Sequence, residues 1–374
     1  MRATSLTVRD FRNYERARLE LGPGLTVLAG PNGAGKTNLL EALYFGLTGR
    51  SCRTANEREV VRFKQPAARV EVEVEADDGP HRLEIGLAPG AEKKALVDGA
   101  PVERLASVPV RPLVGVFLPD RLDLVKGAPA GRRAHLDQLV AALWPARADD
   151  KAAYSRALAQ RNALVARVRG GSAREALLDT WDAEIARYGF LLMRNRADAL
   201  ALVEPAFTAR AADLGLPEPC VLRYLPRSKA TDAEGLVAEL RERRASDLER
   251  GFTTHGPHRD DLALMHGGRP LRTLGSQGQQ RAGLLALLFA ERDALLERER
   301  PSLMLLDDVM SELDATRRAR LADLVRAGGQ TLITTTDVDH VPGADADGVT
   351  VAHILDGSLV GVDTQEAAEA EAAA

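Results

Sequence analysis

The chain has 374 residues, 28% of them charged and only 4% aromatic, with a formal net charge of −4. That length allows a sizeable core, built either as one large domain with an insertion or as two lobes, and the near-neutral balance confines any nucleic-acid surface to a local patch. The opening MRATSLTVRD lacks an apolar signal region, no run of about 18 uncharged apolar residues occurs, and Cys52 and Cys220 form neither a disulfide framework nor a CxxC site, so the expectation is a cytoplasmic protein with no membrane contact and two buried thiols.

Residues 4–8 and 16–21 alternate as strands do, and Gly22-Pro23-Gly24 turns the chain into a short apolar strand at 25–29. Next comes GPNGAGKT, with Gly, four residues, Gly, Lys and Thr at phosphate-loop spacing, followed by a helical pattern over 38–47. Strand, loop and helix in that order converge backbone N–H groups and a helix N-terminus on phosphate. Gly30, Pro31, Asn32, Gly33, Ala34, Gly35, Lys36, Thr37 and Asn38 are therefore the expected ATP cradle. Within it, Lys36 would reach the β- and γ-phosphates and the Thr37 hydroxyl would ligate Mg²⁺.

After this helix, residues 49–54 form a polar basic segment in which Arg53 either touches phosphate or DNA or is a solvated loop residue. Strands resume over 69–76, 82–87 and 95–97, with Asp98-Gly99 as a hairpin turn, and read as an antiparallel side sheet. From about 127 to 251 strand signals nearly vanish, and helical spacing takes over. Leu177, Trp181, Ile185, Tyr188 and Leu192 mark one amphipathic helix, and Leu236, Leu240 and Leu248 mark another. Trp181 and Tyr188 read as core.

Between Gly131 and Gly170 eight basic residues, among them Arg132, Arg133, Arg156 and Arg161, face only Asp137, Asp149 and Asp150. They form either a surface for DNA phosphates or a solvated helix face. No a/d repeat is sustained over several heptads, and Gly170-Gly171, Gly215 and nearby prolines interrupt the pattern, so a long coiled-coil arm is excluded. His255 and His258 lie in GFTTHGPHRDD at no recognisable metal spacing, ahead of a strand at 262–265.

The strand SLMLL at 302–306 ends in Asp307-Asp308. Asp307 would hold Mg²⁺ through water, and Asp308 would act as base or orienter on the attacking water. Before it, GSQGQQR leads into a helix over 282–296 and places Ser276 and Gly278 at a helix N-terminus. Alone, that motif is no more than a helix cap at Ser276.

FRNY at 11–14, PDRLDLVKGAPAGRR at 119–133, HGPHRDD at 255–261, SQGQQR at 276–281 and LLDDVMSELD at 305–314 together resemble the RecF family, over nearly the whole chain. His135 departs from the aromatic that family tends to carry there.

The resemblance implies an α/β fold. An ABC-type, Rad50/SMC head-like ATPase lobe would occupy 1–126 and 251–363 and a helical insertion without coiled coil 127–250; the Ala/Glu-rich tail 364–374 has no role in that family and reads from its composition as disordered. The resemblance implies that Ser276, Gly278 and Gln279 form the signature motif that caps the γ-phosphate across an ATP-closed homodimer, that residues 309–314 cross that interface, and that Asp308, Lys36 and Ser276 are catalytic. It further implies a nucleoid-associated ATPase on gapped, single- or double-stranded DNA, working with RecR to help load RecA and supporting the SOS response. Hydrolysis in the family is slow, and Asp308 is one methylene shorter than the Glu usual at this place in ABC ATPases. Transporter subunits would predict a switch histidine where LITTT (332–336) has threonines, and SMC organisers would need hundreds of heptad residues.

Overall fold

The computed structural model describes residues 1–103, 105, 108–119, 122–311 and 313–364. The tail expected to be disordered lies, from 365 on, outside the described residues, as does Glu312 of the expected interface loop. In chain order the elements are β1 (Arg2–Phe11), β2 (Tyr14–Glu20), β3 (Leu25–Ala29), α1 (Lys36–Thr48), β4 (Ala68–Ala76), β5 (Gly79–Leu87), β6 (Lys94–Val97), β7 (Ala100–Pro101) and β8 (Leu113–Phe117). There follow α2 (Asp123–Lys126), α3 (Pro129–Leu143), α4 (Ala148–Arg169), α5 (Leu178–Asp213), β9 (Cys220–Leu225), α6 (Ala233–Glu242), α7 (Arg244–Arg250), β10 (Asp261–His266), β11 (Arg269–Pro270), α8 (Leu271–Leu274) and α9 (Gln277–Leu296). The chain closes with β12 (Ser302–Leu306), α10 (Ala315–Arg326), β13 (Gln330–Thr335), β14 (Thr350–Leu355) and β15 (Ser358–Thr364).

Two compact units result, one from Met1–Arg121 with Leu295–Ala374, the other from Leu122–Ala294. In the first, a six-stranded sheet runs β15-β14-β3-β13-β12-β8, parallel except for β15. Its inner strands LTVLA and SLMLL are buried at every residue, as strands covered on both faces must be. A second sheet, β2-β1-β4-β5-β6-β7, is antiparallel throughout, as the alternation implies. On β4 the sequence RVEVEVE turns Val70, Val72 and Val74 inward at 0% exposure and leaves the glutamates outside. Each such valine contributes about 1.5–3 kcal/mol over an exposed one, and a Val72→Glu change would bury a charge against α1.

The second unit is mostly helical, led by α5, 36 residues long with Pro205 inside it. Two expectations are corrected here. The helical stretch contains a strand after all, β9, pairing antiparallel with β10 over Cys220–Leu225; Pro217 and Pro219 break the helical pattern just before it. The expected helix across Leu236–Leu248 is two, α6 and α7, parted at Arg243. Compactness also groups residues 251–294 with the helices rather than with the ATPase lobe, because β9 supplies the hydrogen-bonding partner of β10 and Arg132 and Arg196 grip Asp261 and Asp260.

Candidate active site

The phosphate loop lies between β3 and α1, and its backbone explains its glycines. Gly30 has φ 157°, and a Cβ there would sit 2.1 Å from the Ile354 carbonyl oxygen of the neighbouring strand β14. Gly35 has φ 116°, and a Cβ there would meet Asn13 Nδ2 at 2.6 Å and the Tyr14 hydroxyl at 2.8 Å. Only glycine fits both conformation and space.

Lys36 donates from Nζ to the carbonyls of Gly30 (2.7 Å) and Pro31 (2.9 Å), so its ammonium already lies within the loop's curve. Burial pulls its pKa below the usual lysine value, with Asp308 and Asp307 acting in the opposite sense. The Thr37 hydroxyl donates to Asp307 Oδ1 (2.8 Å), bringing together two residues that are 270 positions apart. Asp307 is buried, which raises its pKa above the carboxylate range against hydrogen bonds from Thr334 and Thr37.

Asp308 adopts a left-handed backbone, φ 44°, uncommon for a non-glycine residue. Its N–H donates to Thr334 Oγ1 (2.9 Å), and that hydroxyl donates in turn to Asp307 Oδ1 (2.7 Å). One carboxylate oxygen of Asp308 is buried without a hydrogen-bond partner among the described residues. A buried acceptor left unsatisfied is costly, and here it lies in the segment that carries Asp307. The set of a glycine cradle, a lysine, a hydroxyl on a carboxylate and an orphaned carboxylate oxygen fits Mg²⁺-nucleotide chemistry.

Sequence reasoning missed three contributors. Thr334 occupies the LITTT strand end noted only for lacking histidine. Asn13 of the FRNY turn ties to the loop, donating to the Ala34 carbonyl (3.3 Å) and accepting from Asn38 (2.7 Å). Glu41, fully buried one turn along α1, receives Arg12 through two hydrogen bonds of 2.9 and 2.8 Å, Ser51 at 2.5 Å and Arg53 at 3.3 Å. A carboxylate in the apolar pattern of NLLEAL was the available signal.

At α9, Gln279 N–H donates to Ser276 Oγ (3.2 Å) while Ser276 N–H donates to Gln279 Oε1 (2.8 Å), a reciprocal capping box. Ser276 and Gly278 are exposed. Among the DNA candidates, Arg53 also donates to Asn38 Oδ1 (2.7 Å), beside the phosphate loop. Arg156 is exposed and Arg133 half-buried, the latter donating to the Asp260 carbonyl (2.8 Å). Two candidates are corrected: Arg161 is 0% exposed, held by Asp182 (2.6 Å), Asp247 (2.6 Å) and Thr253 (2.8 Å), and Arg132 is 2% exposed, with Nε and Nη2 on Asp261 and Nη1 on the Gly127 carbonyl. A guanidinium buried and held inside the fold cannot meet a DNA phosphate.

A family model described as an AAA domain matches residues 5–101. The chain is 37% identical over 364 residues to the DNA replication and repair protein RecF of Streptomyces avermitilis, covering 92% of this chain and 95% of that one. It is 39% identical over 372 residues to the RecF of an Anaeromyxobacter species, covering 96% and 99%. A solved structure described as the recombination mediator protein RecF with ATP, in the RecFOR pathway, superposes with a TM-score of 0.82 at 28% identity over 97% of both chains. An Smc head bound to the C-terminal winged-helix domain of ScpA shares the fold, with a TM-score of 0.60 at 16% identity over 99% and 100% of the two chains.

Proposed function

The chain belongs to the RecF family of replication and repair proteins, and on that premise we propose that it is an ATP-hydrolysing recombination mediator that closes as a homodimer on ATP at DNA. It carries an ABC-type ATPase fold. The observation that carries the ATPase reading is the linkage Thr37–Asp307–Thr334–Asp308, which sets a metal-binding pair and an orphaned carboxylate side by side.

Thr37 and Asp307 would hold Mg²⁺, which when bound neutralises phosphate charge. Lys36 exchanges its loop carbonyls for phosphate oxygens, a charge-assisted replacement. Asp308 takes the proton of the attacking water or orients it, through the oxygen that has no partner among the described residues. Ser276 and Gly278, exposed at the start of α9, and the half-buried Gln279 are offered to the nucleotide of a second copy. The names of two relatives place them in DNA replication and repair; for this chain the reading extends to gapped DNA, to RecR and through it RecA loading, to the SOS response, and to work in the cytoplasm at the nucleoid. Among the described residues no helix is long and apolar enough to cross a membrane. The ATPase role is assigned to residues 1–126 and 251–363, with 127–250 as the insertion.

The test is Asp308→Asn. It should bind ATP as the wild type does, hydrolyse it at least a hundredfold more slowly, and accumulate as a dimer on sizing with ATP and Mg²⁺. Normal hydrolysis by this variant would move the catalytic carboxylate elsewhere.

A further inference from the structure

On the outer face of the antiparallel sheet the register sets three arginines abreast: Arg9 of β1 pairs with Arg16 of β2 on one side and Arg69 of β4 on the other. The same row continues through Gly86 to Lys94. Neighbouring strands are only ~4.8 Å apart, and like charges directly opposite one another are unfavourable. The next row on this face, Arg18, Thr7, Glu71, Glu84 and Leu96, mixes both signs. The cations are therefore collected at one end of the sheet, the end that runs into the FRNY turn.

Nearby carboxylates answer only part of this row. Arg62 holds Asp10 and Glu15, both at 3.2 Å, and Arg69 holds Glu71 at 2.9 Å and Glu84. Arg9, 77% exposed, reaches only Asp10, loosely, at 3.8 Å. Arg16 is exposed and has no carboxylate partner among the described residues. Arg9, Arg16, Arg62 and Arg69 line a groove of about 640 Å³ together with Asp10, Glu15 and Glu71, four cations against three carboxylates.

The segment beside the groove adds a second, independent observation. Arg62 and Gln65 both line it, and between them Phe63 stands 83% exposed, with the Lys64 ammonium 5.4 Å from its ring centroid. Asp10, Arg12 and Lys64 have φ of 50°, 52° and 64°, a conformation that non-glycine residues avoid and that clusters where a surface is put to use.

We propose that this groove is a docking surface for single-stranded DNA, its phosphates over the Arg16–Arg9–Arg69 row and an unstacked base against Phe63; the assignment rests on the DNA-binding reading above. A groove presenting exposed arginines beside an exposed aromatic ring is the combination that single strands use, phosphate and base being accessible together. An acidic protein segment would satisfy the cations and leave the ring uncovered. None of the residues suspected from sequence lies in this groove.

Anisotropy of a labelled oligo-dT and of a blunt duplex, titrated with the full chain in ATP and Mg²⁺, tests the assignment. The double change Arg9→Glu/Arg16→Glu should weaken oligo-dT binding at least tenfold and flatten its log–log salt slope by about 0.7 per lost contact. Phe63→Ala should weaken oligo-dT about tenfold and leave the duplex within twofold. ATP affinity should be unchanged in both, since neither touches the phosphate loop. A wild-type chain that binds no DNA sinks the parent reading; a wild-type chain that binds, with either variant matching it on oligo-dT, sinks this surface alone. Loss of polyglutamate binding with oligo-dT affinity intact would assign the groove to an acidic protein segment and overturn the proposal.

Discussion

In the unit formed by Met1–Arg121 and Leu295–Ala374 the arginines of the side sheet stand in solvent above a core of Leu, Val and Phe side chains, whereas in Leu122–Ala294 arginines are themselves core. Arg9 is 77% exposed; Arg161, Arg196 and Arg132 are 0%, 2% and 2% exposed. The buried three are each paired with aspartates: Arg161 with Asp182 and Asp247, Arg196 with Asp137 and Asp260, Arg132 with Asp261. One residue type thus stands in solvent in one unit and cross-links helices in the other. The buried pairs tie α4 to α5 and α7, α5 to α3 and the HGPHRDD loop, and α3 to β10, which a coiled-coil seam would otherwise have to do. Counting charges along the chain cannot separate the two uses, because both begin from similar composition.

The sharpest way to break this contrast is to remove a charge on each side and ask whether binding or stability fails. Lys36→Ala takes an ammonium from the phosphate loop and no core volume, so nucleotide binding should fall beyond detection while circular dichroism and Tm stay near wild type. Retained ATP affinity would disprove the loop's role. Arg161→Ala should do the reverse. It leaves Asp182 and Asp247 buried with a partner gone, and urea unfolding should report a loss of about 3–5 kcal/mol, while Arg156→Ala on the same helix stays within about 0.5 kcal/mol. Equal stabilities for the two variants would return Arg161 to the surface.

A smaller effect comes from His258. Its Nε2 lies 3.1 Å from the Thr253 carbonyl, so it carries the proton, and Nδ1 accepts from the Tyr154 hydroxyl at 2.7 Å. Burial lowers its pKa from 6.5 to about 4. The neutral form is therefore the stabilising one: its contribution is whole above 6.5 and is lost as the pH falls through 6.5 towards 4, on the order of 2–3 kcal/mol in all. Wild type minus His258→Gln, measured by urea midpoints across that range, should show this slope; a flat difference would mean the ring is not held neutral by burial.

Much of the candidate nucleotide site was legible because its motifs are local. GPNGAGKT and SLMLLDD each carry their strand, turn and candidate chemistry within ten residues, and the structure brings Thr37 and Asp307 to 2.8 Å. The alternation of RVEVEVEA named its buried face for the same reason, a strand's two sides being written in successive residues. The places where reading failed are those where the deciding partner is remote. Strand β9 exists because β10 offers it hydrogen bonds some forty residues on. Arg132 and Arg161 resembled a DNA surface until Asp261, Asp182 and Asp247 arrived from 129, 21 and 86 residues away.

The sequence by itself therefore determined the family, the phosphate loop, the Asp307-Asp308 strand end and the two-period pattern of the side sheet, since each depends on spacing over a few residues. Tertiary structure alone decided which arginines are core and which are surface, that Thr334 completes the carboxylate pair, and that Arg16, Arg9 and Arg69 stand in one row. Those facts depend on register and on pairing between distant segments, where a charge is buried only once its counter-charge is brought to it.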